Sequence, residues 1–151
     1  MTIRSVSGFS LIELMIAVAI VAILALAAAP LGSAWVANSR IDNTANILAE
    51  GYATARALAL ENKANVSGVQ AASAISVAGG IVSVSYLDAV TATTTTVWQK
   101  PIDTTVNVSP ESNSACAALV VNFTNLGMPA NGTCFNVSIS SLGGTDLVLA
   151  F

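Results

Sequence analysis

A single carboxylate interrupts a long apolar run near the start of this chain. Leu11 to Ala29 is nineteen residues long, enough to cross a bilayer as a helix, and Glu13 is its only charged residue. A charged side chain at membrane depth is costly, about 2.5–3.5 kcal/mol for Asp at a helix centre and less near an end. A carboxylate kept at that cost has a partner and a function, and we look for the partner in the residues just upstream.

The overall composition favours a membrane protein or a packed assembly. Hydrophobic residues make up 54% of the 151 residues and charged residues only 9%, against roughly 25% in ordinary soluble domains. The net charge of −3 does not show the excess of positive charge that is typical of nucleic-acid-binding proteins. Histidine is absent, which removes the commonest general base and metal ligand, and two cysteines cannot close a zinc site. We therefore expect no enzymatic activity, no cofactor and no small-molecule substrate.

Three interpretations of the apolar run compete. A secretory signal peptide would use the Ala27-Ala28-Ala29 stretch as its cleavage site, but Pro30 would follow the cut and Glu13 would lie inside the signal. A plain single-pass anchor explains the hydrophobicity but not the carboxylate. By the positive-inside rule, the basic leader stays inside the cell and the rest of the chain is exported, although Arg4 is the only basic side chain of that leader.

The third interpretation rests on the string Gly8-Phe9-Ser10-Leu11-Ile12-Glu13. It resembles the processing site of type IV prepilins and type II secretion pseudopilins. The resemblance implies a leader at residues 1–8, cleavage after Gly8 by a prepilin peptidase, and N-methylation of Phe9. The amine created on Phe9 lies four residues before Glu13, on the same helix face. We expect Glu13 to pair with this amine, or with that of a neighbouring subunit, and to act in assembly.

The helical pattern continues beyond the apolar run. Pro30 should kink the helix and Gly32 should loosen the same turn, unless the helix simply ends there. We assign residues 9–30 to a transmembrane helix and residues 31–64 to an amphipathic half outside the membrane. The whole helix would be about 80 Å long at 1.5 Å per residue. One apolar stripe recurs at steps of three and four: Ile41, Ala45, Leu48, Tyr52, Ala55 and Ala59.

This second half resembles the GspH/FimT group of minor pseudopilins and minor pilins. The similar strings are Asn38-Ser39-Arg40, Asn46-Ile47-Leu48, the Ala53–Ala59 stretch with Arg56, and Asn62. Together with the leader, the resemblance covers about the first 65 residues. Phe123 followed by Gly127 is similar to a turn of that group's heads. For Arg40 and Arg56 individually, a solvated helix face is the simpler interpretation.

Residues 65–151 change to short β-type runs separated by turns, which predicts an α+β fold: a long helix packed on a small antiparallel sheet. If this head is exported, Cys116 and Cys134 are expected to form a disulfide between adjacent strands, the alternative being two buried thiols. The predicted strands are 81–87, with Val82, Val84 and Tyr86 on one face, 91–98, 118–123, 134–139 and 147–151.

These features predict a structural subunit in the bacterial inner membrane, with the N-terminus cytoplasmic and the head periplasmic. Its expected partners are the prepilin peptidase and other pilins or pseudopilins, and its expected role is to prime or cap a filament. The leader and helix are shared by pili and pseudopili, so the two stay open. A FimT-like DNA receptor is the alternative, but between Ala64 and Phe151 the only basic residue is Lys100.

Overall fold

The computed structural model describes residues 8–63, 65–88, 91, 93–111, 119–130 and 136–150, with the backbone alone at residues 29 and 30. In this part of the chain one helix precedes seven strands. Their bounds are α1 (Leu11–Glu61), β1 (Ala71–Ala78), β2 (Ile81–Leu87), β3 (Thr94–Pro101), β4 (Val106–Pro110), β5 (Val120–Thr124), β6 (Asn136–Ser141) and β7 (Leu147–Ala150). The predicted α+β layout, a long N-terminal helix with a small antiparallel β head, is confirmed.

The helix α1 is 51 residues long and continues through Pro30 and Gly32. The alternative in which the helix ends at Pro30 is therefore wrong. A proline removes one backbone donor from the helix, and the turns on either side still hold the chain in register. The predicted kink stays a prediction. The helix ends at Asn62, whose φ of 49° and ψ of 46° are left-handed and stop the helical path.

The strands form two antiparallel sheets and not one. Sheet A has the order β3-β2-β1-β5, and sheet B has the order β4-β6-β7. Three differences from the predicted strands stand out. The central strand β1 and the edge strand β4 were not predicted, and β3 begins three residues later than expected. Its start is delayed because Asp88 accepts a hydrogen bond from the Thr91 amide and donates its own amide to the Thr93 carbonyl, which forms a turn.

The residues of the predicted helical stripe pack into the hydrophobic core. Ile41, Leu48, Ala55 and Ala59 are buried, and Ala45 and Tyr52 are half-buried against them. Charged residues in this half of the helix lie off the stripe and are exposed: Arg40, Asp42, Glu50, Glu61 and Lys63. On β2, Val82 and Val84 are buried and Tyr86 is half-buried, as the alternation predicted. The helix and the sheets therefore share one apolar core.

At Gly51 the backbone of α1 lies close to sheet A. A Cβ atom at this position would lie 2.8 Å from Ile75 Cδ1, 3.1 Å from Trp98 Cζ3 and 3.3 Å from Val82 Cγ1. The glycine thus lets the sheet lie directly on the helix backbone. At the next residue, the Tyr52 ring packs edge-on against the buried Phe123 ring, with the ring centroids 4.9 Å apart.

The two cysteines lie outside the described residues, so the disulfide between Cys116 and Cys134 stays a prediction. The strands that follow them, β5 and β6, belong to different sheets. The single sheet assumed for this disulfide is thus two sheets, and whether the cysteines connect neighbouring strands stays a prediction.

Candidate functional site

The helix begins with a capping box formed by Ser10 and Glu13. Ser10 has extended backbone angles, φ −73° and ψ 150°, and its hydroxyl oxygen accepts a hydrogen bond of 3.3 Å from the Glu13 amide. In return, the Glu13 carboxylate accepts a hydrogen bond of 3.3 Å from the Ser10 amide. Two of the amides left without partners at a helix start are thereby satisfied, and the carboxylate lies at the positive end of the helix dipole.

This geometry assigns Glu13 a partner that the sequence interpretation missed. We predicted that the carboxylate would pair with an amine on Phe9. In the uncleaved chain the Phe9 nitrogen is still part of the peptide bond to Gly8, and the carboxylate binds the next amide along, that of Ser10. The signal was present in the sequence, because Ser-x-x-Glu ahead of an apolar run is the pattern of a capping box. Glu13 therefore has an intramolecular partner before processing.

Gly8 and Phe9 precede the helix and are exposed. Phe9 is 85% exposed, and among the described residues no atom beyond the chain neighbours of Gly8 lies within 4 Å of the position that a Cβ there would take. The peptide bond between these residues is thus open to another protein. Of the predicted processing and assembly residues, the structure brings Gly8, Phe9 and Glu13 together on one short segment at the start of α1.

The first half of α1 buries nothing against the head. Residues 8–28 are all exposed, and their apolar surface includes Leu14, Ile20 and Leu24. By length and composition α1 is apolar enough to cross a membrane, with a mean hydropathy of 2.8 over its most apolar stretch. Such a surface needs lipid or other apolar helices around it. The predicted kink residues Pro30 and Gly32 lie at the end of this stretch, and Gly32 is exposed.

The second half of α1 is fastened to sheet A by a buried hydrogen bond. The Ser73 hydroxyl donates to the Ala55 carbonyl over 2.6 Å. Ser73 is buried and lies at the irregular point where the pairing between β1 and β5 shifts register. The extra residue turns the hydroxyl toward the helix and not toward solvent.

Nearer the membrane segment, Arg40 connects α1 to the turn before β4. Its Nε lies 3.4 Å from Asp103 Oδ2, and its Nη1 donates to Thr105 Oγ1 over 3.1 Å. The hydroxyl and amide of Thr105 donate to the Asp103 carboxylate over 2.6 and 2.8 Å. These bonds from Thr105, with the nearby Arg40 charge, hold the pKa of Asp103 below its ordinary value. Arg40 is thus a connecting residue and not only a solvated one.

Two further residues of the GspH/FimT-like pattern connect the helix to the head. The Asn38 side chain accepts a hydrogen bond of 2.9 Å from the Thr145 amide, which holds the segment before β7. The Asn62 side chain binds both the amide and the carbonyl of Val66, over 3.0 and 2.9 Å, and so shapes the exit from α1. Arg56 is exposed, as the simpler interpretation expected. This pattern therefore includes residues that fix the head on the helix.

Most of the basic side chains in the described ranges contact carboxylates. Lys100 contacts Glu50 and Lys63 contacts Glu61, in addition to the pair formed by Arg40. The hydrogen bond from Lys100 lowers the pKa of Glu50, and the bond to Glu61 raises the pKa of Lys63. Within the same ranges, no group of three or more His, Cys, Asp or Glu residues could hold a metal ion.

Comparison with known proteins matches the N-terminal segment. A family model described as the prokaryotic N-terminal methylation motif matches residues 3–29, which include Gly8, Phe9 and Glu13. Neither the curated proteins nor the solved structures give a significant match to the chain. The GspH/FimT resemblance stays a prediction. The motif, together with one long helix packed on small antiparallel sheets, indicates a pilin- or pseudopilin-type protein.

Proposed function

We propose that the protein is a minor pseudopilin or minor pilin, a structural subunit that helps to prime or cap a filament. The filament would belong to a type II secretion system or a type IV pilus in the bacterial inner membrane. One observation carries the proposal: an exposed Gly8–Phe9 bond lies directly before a capped helix whose residues 11–28 are all exposed. Processing would use the Gly8–Phe9 bond, and anchoring and subunit packing would use the exposed apolar surface of the helix.

The exposed start of α1 supports processing by a prepilin peptidase. Hydrolysis after Gly8 would leave a new amine on Phe9, and methylation of that amine preserves its positive charge. The cut would leave two residues, Phe9 and Ser10, ahead of α1, so the capping box between Ser10 and Glu13 would survive it. The helix therefore need not unfold for the leader to be removed.

The capping box also supports a role for Glu13 in assembly. Among the residues that the structure describes, the carboxylate is bonded to the neutral amide of Ser10. A pair with a charged amine adds the attraction between opposite charges, which a neutral amide cannot supply and which is strong where water is excluded. The cationic amine of an adjacent subunit's Phe9 would therefore compete well for the same carboxylate. Packing of the apolar helices would supply the rest of the association energy.

Removing the charge while keeping the cap tests this role. Glutamine can replace glutamate in a capping box, so Glu13→Gln should preserve the helix start, whereas Glu13→Ala should lose both the cap and the charge. We expect both variants to be cleaved and to enter the membrane fraction, and both to be missing from the sheared filament fraction. Mass spectrometry checks cleavage and methylation, and immunoblots quantify the two fractions.

A matched control separates assembly from anchoring. Glu50→Gln changes an exposed carboxylate of the same helix that binds Lys100 on the head, and it should assemble normally. Normal incorporation of Glu13→Gln would show that Glu13 acts only as a helix cap. Failure of the wild type to be cleaved after Gly8 would refute the proposed function itself.

The alternative of a DNA receptor has less support. Phosphate binding requires cationic side chains that are free to release counterions. In the described part of the chain, Arg40, Lys63 and Lys100 each contact a carboxylate. A gel-shift experiment with the full chain in detergent micelles tests this alternative. Salt-sensitive DNA binding at micromolar concentration would favour the DNA receptor.

A different experiment distinguishes a pseudopilus from a pilus. The protein is purified, and the components that co-purify with it are identified as parts of a secretion system or of a pilus.

A further inference from the structure

The head carries two exposed leucine–glycine turns that are closely matched. In the turn between β6 and β7, Leu142 is fully exposed and Gly143 has a φ of +82°. In the turn after β5, Leu126 is 67% exposed and Gly127 has a φ of +68°. Left-handed glycines of this kind make tight turns that display the preceding side chain at the tip. An exposed leucine alone needs no explanation, but the two turns occupy different positions along α1.

The Leu142 turn lies at the end of the head closest to the apolar segment. A Cβ atom on Gly144 would lie 3.3 Å from Ala37 Cβ and 2.8 Å from Ile41 Cδ1. Ala37 is the first buried side chain along α1 among those the structure describes. The Leu142 turn is therefore packed at the first fully buried position of the described helix.

The Leu126 turn lies toward the other end of the same helix. A Cβ atom on Gly127 would lie 3.2 Å from Leu60 Cδ2, near the C-terminus of α1. Ala37 and Leu60 are separated by about 35 Å at 1.5 Å per residue. The two turns thus mark opposite ends of the head.

The length of the apolar segment sets the level of the membrane surface. About 20 helical residues cross the hydrocarbon core. The sequence assigned the span to residues 9–30, but the exposed apolar surface continues through Leu31 and Trp35, and a span moved accordingly runs from about Leu14 to Ser33. Trp35 comes two residues later and is 73% exposed, at the depth where tryptophan side chains commonly lie in the membrane interface. Ala37 would then lie about 6 Å beyond the hydrocarbon core, within the headgroup layer.

The surroundings of the turn carry negative charge. A groove of about 290 Å³ beside it is lined by both Asp42 and Asp146, together with Asn38 and Thr145. Carboxylates at this level attract the ammonium groups of amine-bearing lipids and repel purely anionic headgroups. The chemistry of the groove therefore matches a zwitterionic lipid surface such as phosphatidylethanolamine.

We propose that the Leu142 turn is a second membrane contact, by which the head rests on the outer headgroup layer with Leu142 inserted among lipids. The inference depends on the membrane anchoring that the proposed function includes. A head held by both its helix and this turn cannot swing freely above the bilayer. The contact would fix the orientation in which a membrane-resident subunit meets its neighbours, before it leaves the bilayer for a filament.

Site-specific photo-crosslinking in the full chain tests the contact. A benzophenone amino acid replaces Leu142, Leu126 or Leu24, one at a time, in protein reconstituted into nanodiscs of phosphatidylethanolamine and phosphatidylglycerol. Leu24 lies within the apolar segment and reports on anchoring itself. Leu126 is the matched exposed turn residue at the far end of the head. Mass spectrometry then measures lipid and protein adducts after illumination.

We expect lipid adducts at position 142 in several-fold higher yield than at position 126, with strong adducts at position 24. Lipid adducts at 24 with none at 142, or with equal yields at 142 and 126, would overturn the second contact and leave the anchor intact. Protein adducts alone at 142 would also overturn it, because they would place another subunit on the turn. Absence of lipid adducts at 24 would refute the anchoring and the inference with it.

Discussion

The close approach at Gly51 gives the sharpest test of how the head is held on the helix. The substitution Gly51→Ala adds a single methyl group to a buried position of α1. That methyl would meet Ile75 Cδ1 at 2.8 Å, Trp98 Cζ3 at 3.1 Å and Val82 Cγ1 at 3.3 Å. Carbon atoms pack favourably at about 3.5–4.0 Å, so all three neighbours would have to move.

Two opposing effects set the size of the change in unfolding free energy. Alanine is favoured over glycine by about 1 kcal/mol in a helix interior. Overpacking a well-packed core typically costs about 1–3 kcal/mol. The end of the Ile75 side chain can rotate away, whereas the Trp98 ring is less free to move, so we take about 1–2 kcal/mol for the overpacking. The expected net destabilisation of Gly51→Ala is about 0–1 kcal/mol, and Gly51→Val should lose about 3 kcal/mol.

Urea unfolding of the full chain in detergent micelles measures these values. A Trp35→Phe background leaves Trp98, which packs at Gly51, as the only tryptophan to report by fluorescence. The control is Ala57→Gly at an exposed position of the same helix, which measures helix propensity without packing and should cost about 1 kcal/mol. The reasoning is refuted if Gly51→Ala stabilises the protein by as much as Ala57→Gly destabilises it.

Two further predictions concern the joint between helix and head. Ser73→Ala removes the buried bond to the Ala55 carbonyl and should lower the unfolding free energy by about 1 kcal/mol, whereas Ser67→Ala in an exposed loop should have no effect by the same urea measurement. The lowered pKa of Asp103 means that its carboxylate stabilises the fold above its ordinary pKa of 3.8, and that this contribution is lost as the pH falls through the lower folded-state value. The stability difference between wild type and Asp103→Asn should therefore be present at pH 6 and shrink toward pH 3; a difference independent of pH would contradict it.

The sequence predicted the N-terminal segment well for a physical reason. Its features are local: the Gly8–Phe9 bond, Glu13 and the apolar helix. Each is encoded by neighbouring residues and can be recognised without knowing any contact with a distant part of the chain. The stripe from Ile41 to Ala59 was also predictable, because burial of one helix face imposes a period that the sequence displays. Even here Ser10 was missed, since attention fell on the charge of Glu13 and not on the unpartnered amides at the start of the helix.

The sheets were less predictable because their signals depend on partners elsewhere in the chain. Strand β1, Ala71–Ala78, contains three alanines and two serines among its first six residues, types that favour strands poorly. It nevertheless packs on α1, where Ile75 lies against Gly51 and Ser73 donates a hydrogen bond to the Ala55 carbonyl. Strand β4 ends in Pro110, which weakens its strand signal and suits its edge position. The division into two sheets could not be predicted from local patterns alone.

Local sequence patterns are equally limited in locating where the apolar segment of α1 ends and the head-packed part begins. The sequence placed it at Pro30, yet the exposed apolar surface continues through Leu31 and Trp35, and burial begins between Ala34 and Ala37. Lipid and a protein core both select apolar residues, so hydropathy alone cannot separate the last lipid-facing turn from the first packed one. The close approach of Gly144 to Ala37 marks where the described head first packs on a fully buried residue of the helix. It follows that polar substitutions at Leu31 or Trp35 should act through the membrane, whereas those at Ala37 should act through the head.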